Sequence, residues 1–248
     1  MALSPRWQAL IRLYGVQAAW TYERMAGIGV GHAAAPLLRD LFRDRPSEER
    51  RQAVARSTEY FNCHPYLAGI AVGAVVRAEE QGVPGAAITR LRTALSGPLG
   101  AIGDQLIWTG EVPIVMGVAL ALLPMIGWWA VFAAVVVHNL LRFCLTLWGL
   151  DLGLAHGLGV GRALELSWLP PAARRAQRGA AFAVGLALPI VSVWLWRDGA
   201  PSGGLAVLAL AIVGTVLVLS PLTRTRVTGL RVGLVLLAVA LLVIGGSQ

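Results

Sequence analysis

The chain has 248 residues, of which 56% are hydrophobic and 14% charged, and its mean hydropathy is +0.67. An ordinary soluble domain has about a quarter of its residues charged, so this composition excludes that class and predicts a membrane protein. The formal charge of +8 comes from arginine without any lysine, which is typical of cytoplasmic loops and of contacts with anionic lipid headgroups. Because no basic run is interleaved with aromatic residues, we do not expect nucleic-acid binding.

The two cysteines do not predict a metal site, and no cofactor is predicted from the sequence. Cys63 and Cys144 stand 81 residues apart, without the Cys/His spacing of a zinc site. We expect both to be small buried hydrophobic side chains. The first seven residues lack the continuous apolar core of a secretory signal, so we expect the N-terminus to start in the cytoplasm.

Residues 1–93 are predicted to form the N-terminal part of the protein, made of amphipathic and re-entrant helices. Apolar and polar residues alternate at helical spacing over residues 5–45. The glycines at 27, 29 and 31 favour close helix packing over nucleotide binding, since no Gly-Lys-Ser/Thr follows them. Pro46 and Ser47 predict the start of another helix. We expect these helices to lie on, or partly in, the cytoplasmic interface.

A short apolar segment follows Pro65, which favours an extended conformation at His64. Residues 68–76 are apolar for nine positions only, whereas a helix needs about twenty apolar residues to cross the hydrocarbon. This segment therefore either re-enters the membrane without crossing it or packs inside protein.

Residues 94–160 predict a second part, a glycine-rich loop followed by an intramembrane hairpin or spans. Residues 96–108 contain three glycines and one proline, and we expect them to form a loop and the start of a helix. Residues 112–141 carry no formal charge over thirty positions, but two prolines and Gly127 interrupt them. That pattern predicts a hairpin, or a broken helix plus a span.

Residues 161–248 predict a third part with about three C-terminal transmembrane helices, at 179–196, 205–222 and 232–244. Arginine-rich loops flank the first and last of them, so those loops are expected to face the cytoplasm and the C-terminus to lie outside. The predicted fold class is an all-α integral membrane protein with N-terminal interfacial helices and re-entrant or broken hairpins.

No residue set predicts catalysis, because neither a Ser/His/Asp constellation nor a His-Glu-x-x-His motif is present. Ionisable residues inside apolar segments carry more weight, since burying one costs at least about 2.5 kcal/mol. Asp104 is the strongest such residue and Glu111 the next. Asp104 either has a functional role or caps the helix expected to start there. His64 is a general base, a sugar ligand or a structural hydrogen-bonding residue.

Three segments resemble the signature stretches of the IID component of the mannose/fructose/sorbose phosphotransferase systems. They are Gln17-Ala-Ala-Trp-Thr-Tyr-Glu-Arg-Met25, Glu59-Tyr-Phe-Asn-Cys-His-Pro-Tyr-Leu-Ala-Gly69 and Gly97-Pro-Leu-Gly-Ala-Ile-Gly-Asp-Gln-Leu-Ile-Trp108. A weaker match runs from His138-Asn139 to Trp148-Gly149. The residues that carry the resemblance are Gln17, Trp20, Glu23, Arg24, Pro65, Gly97, Pro98, Gly103 and Trp108.

The resemblance implies a subunit of a sugar permease in the bacterial cytoplasmic (inner) membrane. Such a subunit pairs with IIC, and phosphate passes from IIA to IIB and then to the hexose, so IID is not itself an enzyme. It implies as further partners the membrane lipid and a higher oligomer of IIC–IID pairs. It also implies that four polar residues either line the substrate path or hold the fold against IIC: Asn62, His64, Asp104 and Asn139.

Two positions depart from the family pattern. Val112 and Thr146 stand where members of the family usually carry arginine. The alternative hypothesis is therefore a divergent IID-like protein with a regulatory or assembly role and no sugar transport. An ion or solute channel unrelated to sugar is a third hypothesis, which requires the three matching segments to be accidental.

Overall fold

The computed structural model describes residues 3–197 together with 209 and 212. Within these residues the chain is helical, and extended pairing is limited to two isolated bridges. Three described helical stretches are long and apolar enough to cross a membrane: Gly85–Ile126, Trp128–Glu165 and Leu169–Arg197. The prediction of an all-α membrane protein is therefore confirmed.

The described α-helices are α1 (Pro5–Tyr14), α2 (Gly27–Leu41), α3 (Ser47–Ser57), α4 (Ala68–Glu80), α5 (Gly85–Leu106), α6 (Val112–Ile126), α7 (Trp128–His156), α8 (Val160–Glu165) and α9 (Leu169–Arg197). Short 3-10 turns occupy Pro65–Leu67 and Gly157–Gly159, and a π-helical turn occupies Ile107–Glu111. The described residues divide into two compact units, one of residues 3–112 with 137–178 and one that includes residues 113–136 with 179–197.

Close backbone packing organises the start of the first unit. Ser4 caps α1 by accepting a hydrogen bond from the Trp7 N–H, and Pro5 occupies the first turn. A Cβ on Gly29 would lie 2.0 Å from the Val16 carbonyl oxygen, and one on Gly27 would lie 2.0 Å from that of Glu59. The prediction that the alternating glycines serve close packing is confirmed.

Helix α4 is buried along almost its whole length in the first unit. A Cβ on Gly73 would lie 2.3 Å from the Leu150 carbonyl oxygen of α7, and one on Gly153 would lie 2.3 Å from that of Ile70. The glycines at 69 and 73 thus face the glycines at 149 and 153, the small-xxx-small pattern of packed membrane helices. Of the two alternatives for residues 68–76, packing inside protein is confirmed.

The prediction of a loop over residues 96–108 is wrong. Helix α5 continues through Pro98 and its glycines to Leu106, and the π-helical turn joins it to α6. Asp104 therefore lies in the last turn of α5 and does not cap a helix start. In apolar surroundings a helix satisfies its own backbone groups, so proline and glycine interrupt it less than they do in water.

The second unit, as far as it is described, contains residues 113–136 and 179–197. Gly127, with φ of +58°, forms the turn between α6 and α7, so the predicted break within residues 112–141 is confirmed. A Cβ on Gly117 would lie 2.8 Å from the Ala183 carbonyl carbon, which shows that α6 and α9 are closely packed in this unit.

The remaining expectations concern the C-terminal spans and the two cysteines. The segment 179–196 lies in α9, whereas 232–244 and, apart from residues 209 and 212, 205–222 lie outside the described residues. Cys63 is buried, and burial raises the pKa of its thiol to about 12. The expectation of burial is wrong for Cys144, which is exposed on α7, because a helix face in lipid needs no polar covering.

Candidate functional site

Hydrogen bonds join three distant chain segments at one place in the first unit. The Ala26 N–H donates to the Phe61 carbonyl at 3.0 Å, and the Phe61 N–H donates to the Arg24 carbonyl at 3.2 Å. Ser96 Oγ donates to the Asn62 carbonyl at 2.6 Å and accepts from the Asn62 N–H at 3.1 Å. We call this region, residues 17–26, 59–64 and 96–104, the motif junction.

Several of the predicted polar residues lie on the surface of the motif junction. Asn62 and Asp104 are exposed, as are Gln17, Trp20, Glu23, Arg24, Gly97 and Pro98. Trp20 stacks edge-to-face on Tyr22 at 4.9 Å between ring centres. Met25, at the end of the first segment, has φ of +49°, which is rare for a residue with a side chain and marks a backbone held by its neighbours.

His64 is the buried residue at the inner side of the motif junction. Its Nδ1 accepts from the Tyr66 N–H at 3.3 Å, which caps the turn Pro65–Leu67, and its ring meets the Trp108 ring edge-to-face at 5.6 Å. Gly103 leaves room for it, since a Cβ there would lie 2.1 Å from the His64 Cβ.

Burial determines the protonation state of His64. Burial lowers the pKa of His64 from 6.5 to about 4, although the nearby Asp104 carboxylate raises it. Arg142 lowers it further. The ring is therefore neutral at pH 7. Because Nδ1 accepts a hydrogen bond, the proton lies on Nε2, which is buried and has no hydrogen-bond partner in the described structure.

A chain of three polar side chains continues inward from this turn. Tyr66 Oη lies 2.9 Å from His138 Nε2, and His138 Nδ1 lies 2.9 Å from Glu111 Oε2. The Glu111 carboxylate accepts from the His138 Nδ1–H, and His138 Nε2 shares the second hydrogen bond with the Tyr66 hydroxyl. We call Tyr66, His138 and Glu111 the polar chain.

Three separate elements present the polar chain. The turn after Pro65 carries Tyr66, and the π-helical turn carries Glu111. π-helical turns occur frequently at functional sites, because their wider turn redirects a side chain from the regular helix face. His138 lies on α7, four residues before Arg142 and on the same helix face.

Arg142 packs beside the polar chain. Its guanidinium carbon lies 4.4 Å from the Tyr14 ring centre and 4.9 Å from the Tyr66 ring centre, and its Nη2 donates to the Tyr14 carbonyl at 2.7 Å. Such cation–π contacts partly compensate a charge that is removed from water. Burial raises the pKa of Tyr66, against Arg142, which lowers it, so the phenol remains a hydrogen-bond donor at pH 7.

The structure unites some predicted residues and separates others. It brings Asn62, His64 and Asp104 to the motif junction, whereas Asn139 is exposed on α7 beside His138. Sequence reasoning missed Tyr66 and Arg142 and did not pair Glu111 with His138. The sequence feature that could have indicated this site was the spacing of four residues between His138 and Arg142, which places both on one face of a largely apolar helix. Among the described residues, no group of three or more His, Cys, Asp or Glu side chains is placed to hold a metal.

Sequence comparison matches most of the described chain to one family. Residues 4–176 match the model for the PTS system mannose/fructose/sorbose family IID component. The PTS mannose-specific EIID component of Escherichia coli (strain K12) is 30% identical over 152 residues, which cover 58% of this chain and 52% of the relative. The fructose permease IID component of Bacillus subtilis (strain 168) is 30% identical over 111 residues, covering 42% of this chain and 40% of the relative.

Solved structures share the fold. The mannose transporter ManYZ in complex with microcin E492 (MceA) has a chain that aligns with a TM-score of 0.58 at 23% identity, covering 76% of this chain and 70% of that one. A second membrane protein aligns with a TM-score of 0.68 at 22% identity, over 99% of this chain and 96% of that one. The chain spans about half the length of the curated relatives it matches. On the family match over residues 4–176, the chain belongs to the mannose/fructose/sorbose family of PTS IID components.

Proposed function

We propose that the chain is the membrane-embedded IID subunit of a phosphoenolpyruvate-dependent sugar phosphotransferase permease of the mannose/fructose/sorbose type. With a IIC subunit it translocates a hexose, while IIB, supplied by IIA, phosphorylates the sugar. The observation that carries this proposal is the motif junction. Its three segments resemble the signatures of one family, and hydrogen bonds join them at α5, which is part of the helical stretch Gly85–Ile126 that is long and apolar enough to cross a membrane.

In this proposal the chain is not an enzyme on its own. The phosphate passes between histidines of IIA and IIB, and the IID subunit supplies part of the membrane passage. The polar chain supports a structural task for Glu111 and His138, because each satisfies a buried polar atom of the other. Such compensation is needed wherever a carboxylate lies in an apolar span.

The exposed polar residues of the motif junction have the most direct role in this proposal. Asn62 and Asp104 present side chains at the surface, where they can reach a hexose or the IIC subunit. His64 is buried, so it supports the junction from behind by capping the turn that carries Tyr66. Asn139 lies on the exposed side of α7, where it can contribute to the substrate path or to IIC.

The proposed location is the bacterial cytoplasmic membrane, with the N-terminus in the cytoplasm and the C-terminus outside. The arginine-rich segment around Arg174, Arg175 and Arg178 supports this orientation by the positive-inside rule. Pairs of IID and IIC are proposed to assemble into a higher oligomer.

The test is co-purification in mild detergent with a IIC subunit of the same family, followed by phosphoenolpyruvate-dependent uptake of labelled mannose. We expect Asp104→Asn to abolish uptake and keep the complex intact. Asp44→Asn makes the same chemical change at an exposed site between α2 and α3, and we expect it to keep both. Failure of the wild-type chain to form a complex with IIC would overturn the proposal.

A second candidate function is regulation or assembly without sugar transport. The observation that favours it is the loss of two arginine positions that the family resemblance implies. Thr146 is buried, and its carbonyl lies against Gly69 at the crossing of α4 and α7, so no positive charge is present there. A stable complex with IIC that takes up none of the hexoses tested would support this alternative.

A further inference from the structure

An open pocket of about 320 Å³ lies among α1, α2 and α3, away from the polar chain. Its lining consists of Pro5, Gln8, Pro36, Arg39, Asp40, Arg43 and Arg50. A water molecule occupies about 30 Å³ in the liquid, so the pocket holds about ten waters and has room for a phosphate ester.

The lining of this pocket is strongly basic. Three arginines and one aspartate give it a formal charge of +2. Arg43 pairs with Asp40, so that carboxylate is already engaged. Arg39 and Arg50 form no ion pair with any residue of the described chain. Two guanidinium groups therefore remain available in one concave site.

The helix dipole favours the position of only one of these two arginines. Arg39 lies in the last turn of α2, where a cation interacts favourably with the helix dipole. Arg50 is half-buried near the first turn of α3, the helix end at which a cation is unfavourable. Glu48 pairs with Arg51 and Gln52, and the exposed Glu49 of the same turn forms no ion pair with Arg50 within the described chain. An anion in the pocket would stabilise Arg50.

We propose that this pocket binds a phosphate group, carried by an anionic phospholipid headgroup or free in solution. The planar guanidinium fork matches phosphate oxygens through paired hydrogen bonds, which favours phosphate over a simple halide. Trp7, which is 46% exposed on α1 next to the lining residue Gln8, supports the lipid source. Exposed tryptophan beside arginine is typical of the membrane–water interface. The proposal depends only on contacts within α1–α3, so it is independent of sugar transport.

The test compares two double variants of the full-length chain in detergent. Arg39→Gln with Arg50→Gln removes the two available lining charges. Arg45→Gln with Arg90→Gln removes the same charge from exposed positions that do not line the pocket. Binding of phosphatidylglycerol and of phosphatidylcholine is measured by native mass spectrometry, and binding of inorganic phosphate by calorimetry.

We expect the lining pair to weaken binding at least about tenfold and the control pair to weaken it less than about threefold. Loss confined to phosphatidylglycerol identifies a lipid headgroup site, and loss for inorganic phosphate as well identifies the phosphate group itself as the ligand. The proposal is overturned by an equal loss in both pairs of variants, or by a wild-type chain that binds neither phosphatidylglycerol nor inorganic phosphate. Arg50→Gln alone, with a smaller expected loss, provides the same comparison with Arg90→Gln if the double variant fails to fold.

Discussion

Glu111 and His138 illustrate how single polar residues persist in an apolar span. Glu111 is 8% exposed within the span Gly85–Ile126, and His138 lies within the span Trp128–Glu165. The carboxylate accepts from His138 Nδ1, and His138 Nε2 shares a hydrogen bond with the Tyr66 hydroxyl, so the principal polar atoms of all three side chains are satisfied. A single substitution therefore leaves a buried group without its partner.

The first prediction concerns this pairing. We expect Glu111→Leu to lower the free energy of unfolding by about 1–3 kcal/mol, because the His138 N–H would lose its acceptor. We expect the double variant with His138→Phe to be less destabilised than the sum of the two single variants. Unfolding in detergent monitored by circular dichroism measures both, with the exposed Glu165→Leu as control. Additive effects of the two substitutions would show that the pair is not coupled.

The second prediction is a pH dependence that originates at His64. The pKa of His64 is about 4 in the folded chain and 6.5 in the unfolded chain, so between these values the unfolded chain binds more protons. Stability is therefore lost as the pH falls through this window, by about 2 kcal/mol between pH 7.5 and pH 5. His64→Asn keeps a side-chain acceptor for the Tyr66 N–H without this titration. We expect its unfolding free energy to change less over the same pH range, and an unaltered pH dependence would contradict the assignment.

At the scale of helices, the crossing of α4 and α7 depends on glycine on both sides. We expect Gly73→Ala and Gly153→Ala each to lower the unfolding free energy by about 1–3 kcal/mol, because the added methyl group would meet backbone atoms that cannot move away cheaply. Gly100→Ala is the matched control, since a Cβ there meets nothing within 4 Å. It is expected to be neutral or to stabilise α5 by up to about 1 kcal/mol. Thermal unfolding distinguishes the three variants. An unchanged unfolding free energy in Gly73→Ala would mean that the helices are not in close contact.

Helix α5 shows where element prediction failed. Glycine and proline predicted a turn at residues 96–108, and that rule is drawn from chains in water. In this chain the same residues continue a helix, with Gly103 making room for His64 and with Gly97 exposed. The break at Gly127 was predicted correctly, because an uncharged stretch of thirty residues is longer than one span. The length of the apolar segment therefore predicted the break at Gly127, whereas the three glycines of residues 96–108 did not break α5.

For the whole molecule, composition predicted the membrane environment, and the three motif segments predicted the family. That these segments meet at one place was not predicted and is a finding of the structure. The pairings inside the first unit were not predictable, because the polar chain joins residues separated by 27 and 72 positions. No local pattern indicates that a tyrosine after Pro65 will meet a histidine on α7. Arg142 was likewise missed, since its contacts with Tyr14 and Tyr66 depend on three elements that meet only in the folded chain.

The assembled permease gives the final prediction, which rests on the proposed pairing with IIC. Gly97 lies on the exposed side of α5, and a Cβ there meets nothing within 4 Å, so Gly97→Leu is expected to leave the isolated chain as stable as the wild type. If the motif junction contacts IIC, the larger side chain is expected to reduce co-purification with IIC at least about tenfold. Gly161→Leu introduces the same side chain at another exposed, unobstructed helix position on α8, and we expect it to preserve assembly. Normal recovery of IIC with Gly97→Leu would place the contact surface elsewhere on the chain, whereas selective loss would identify the motif junction as the surface through which the subunit assembles.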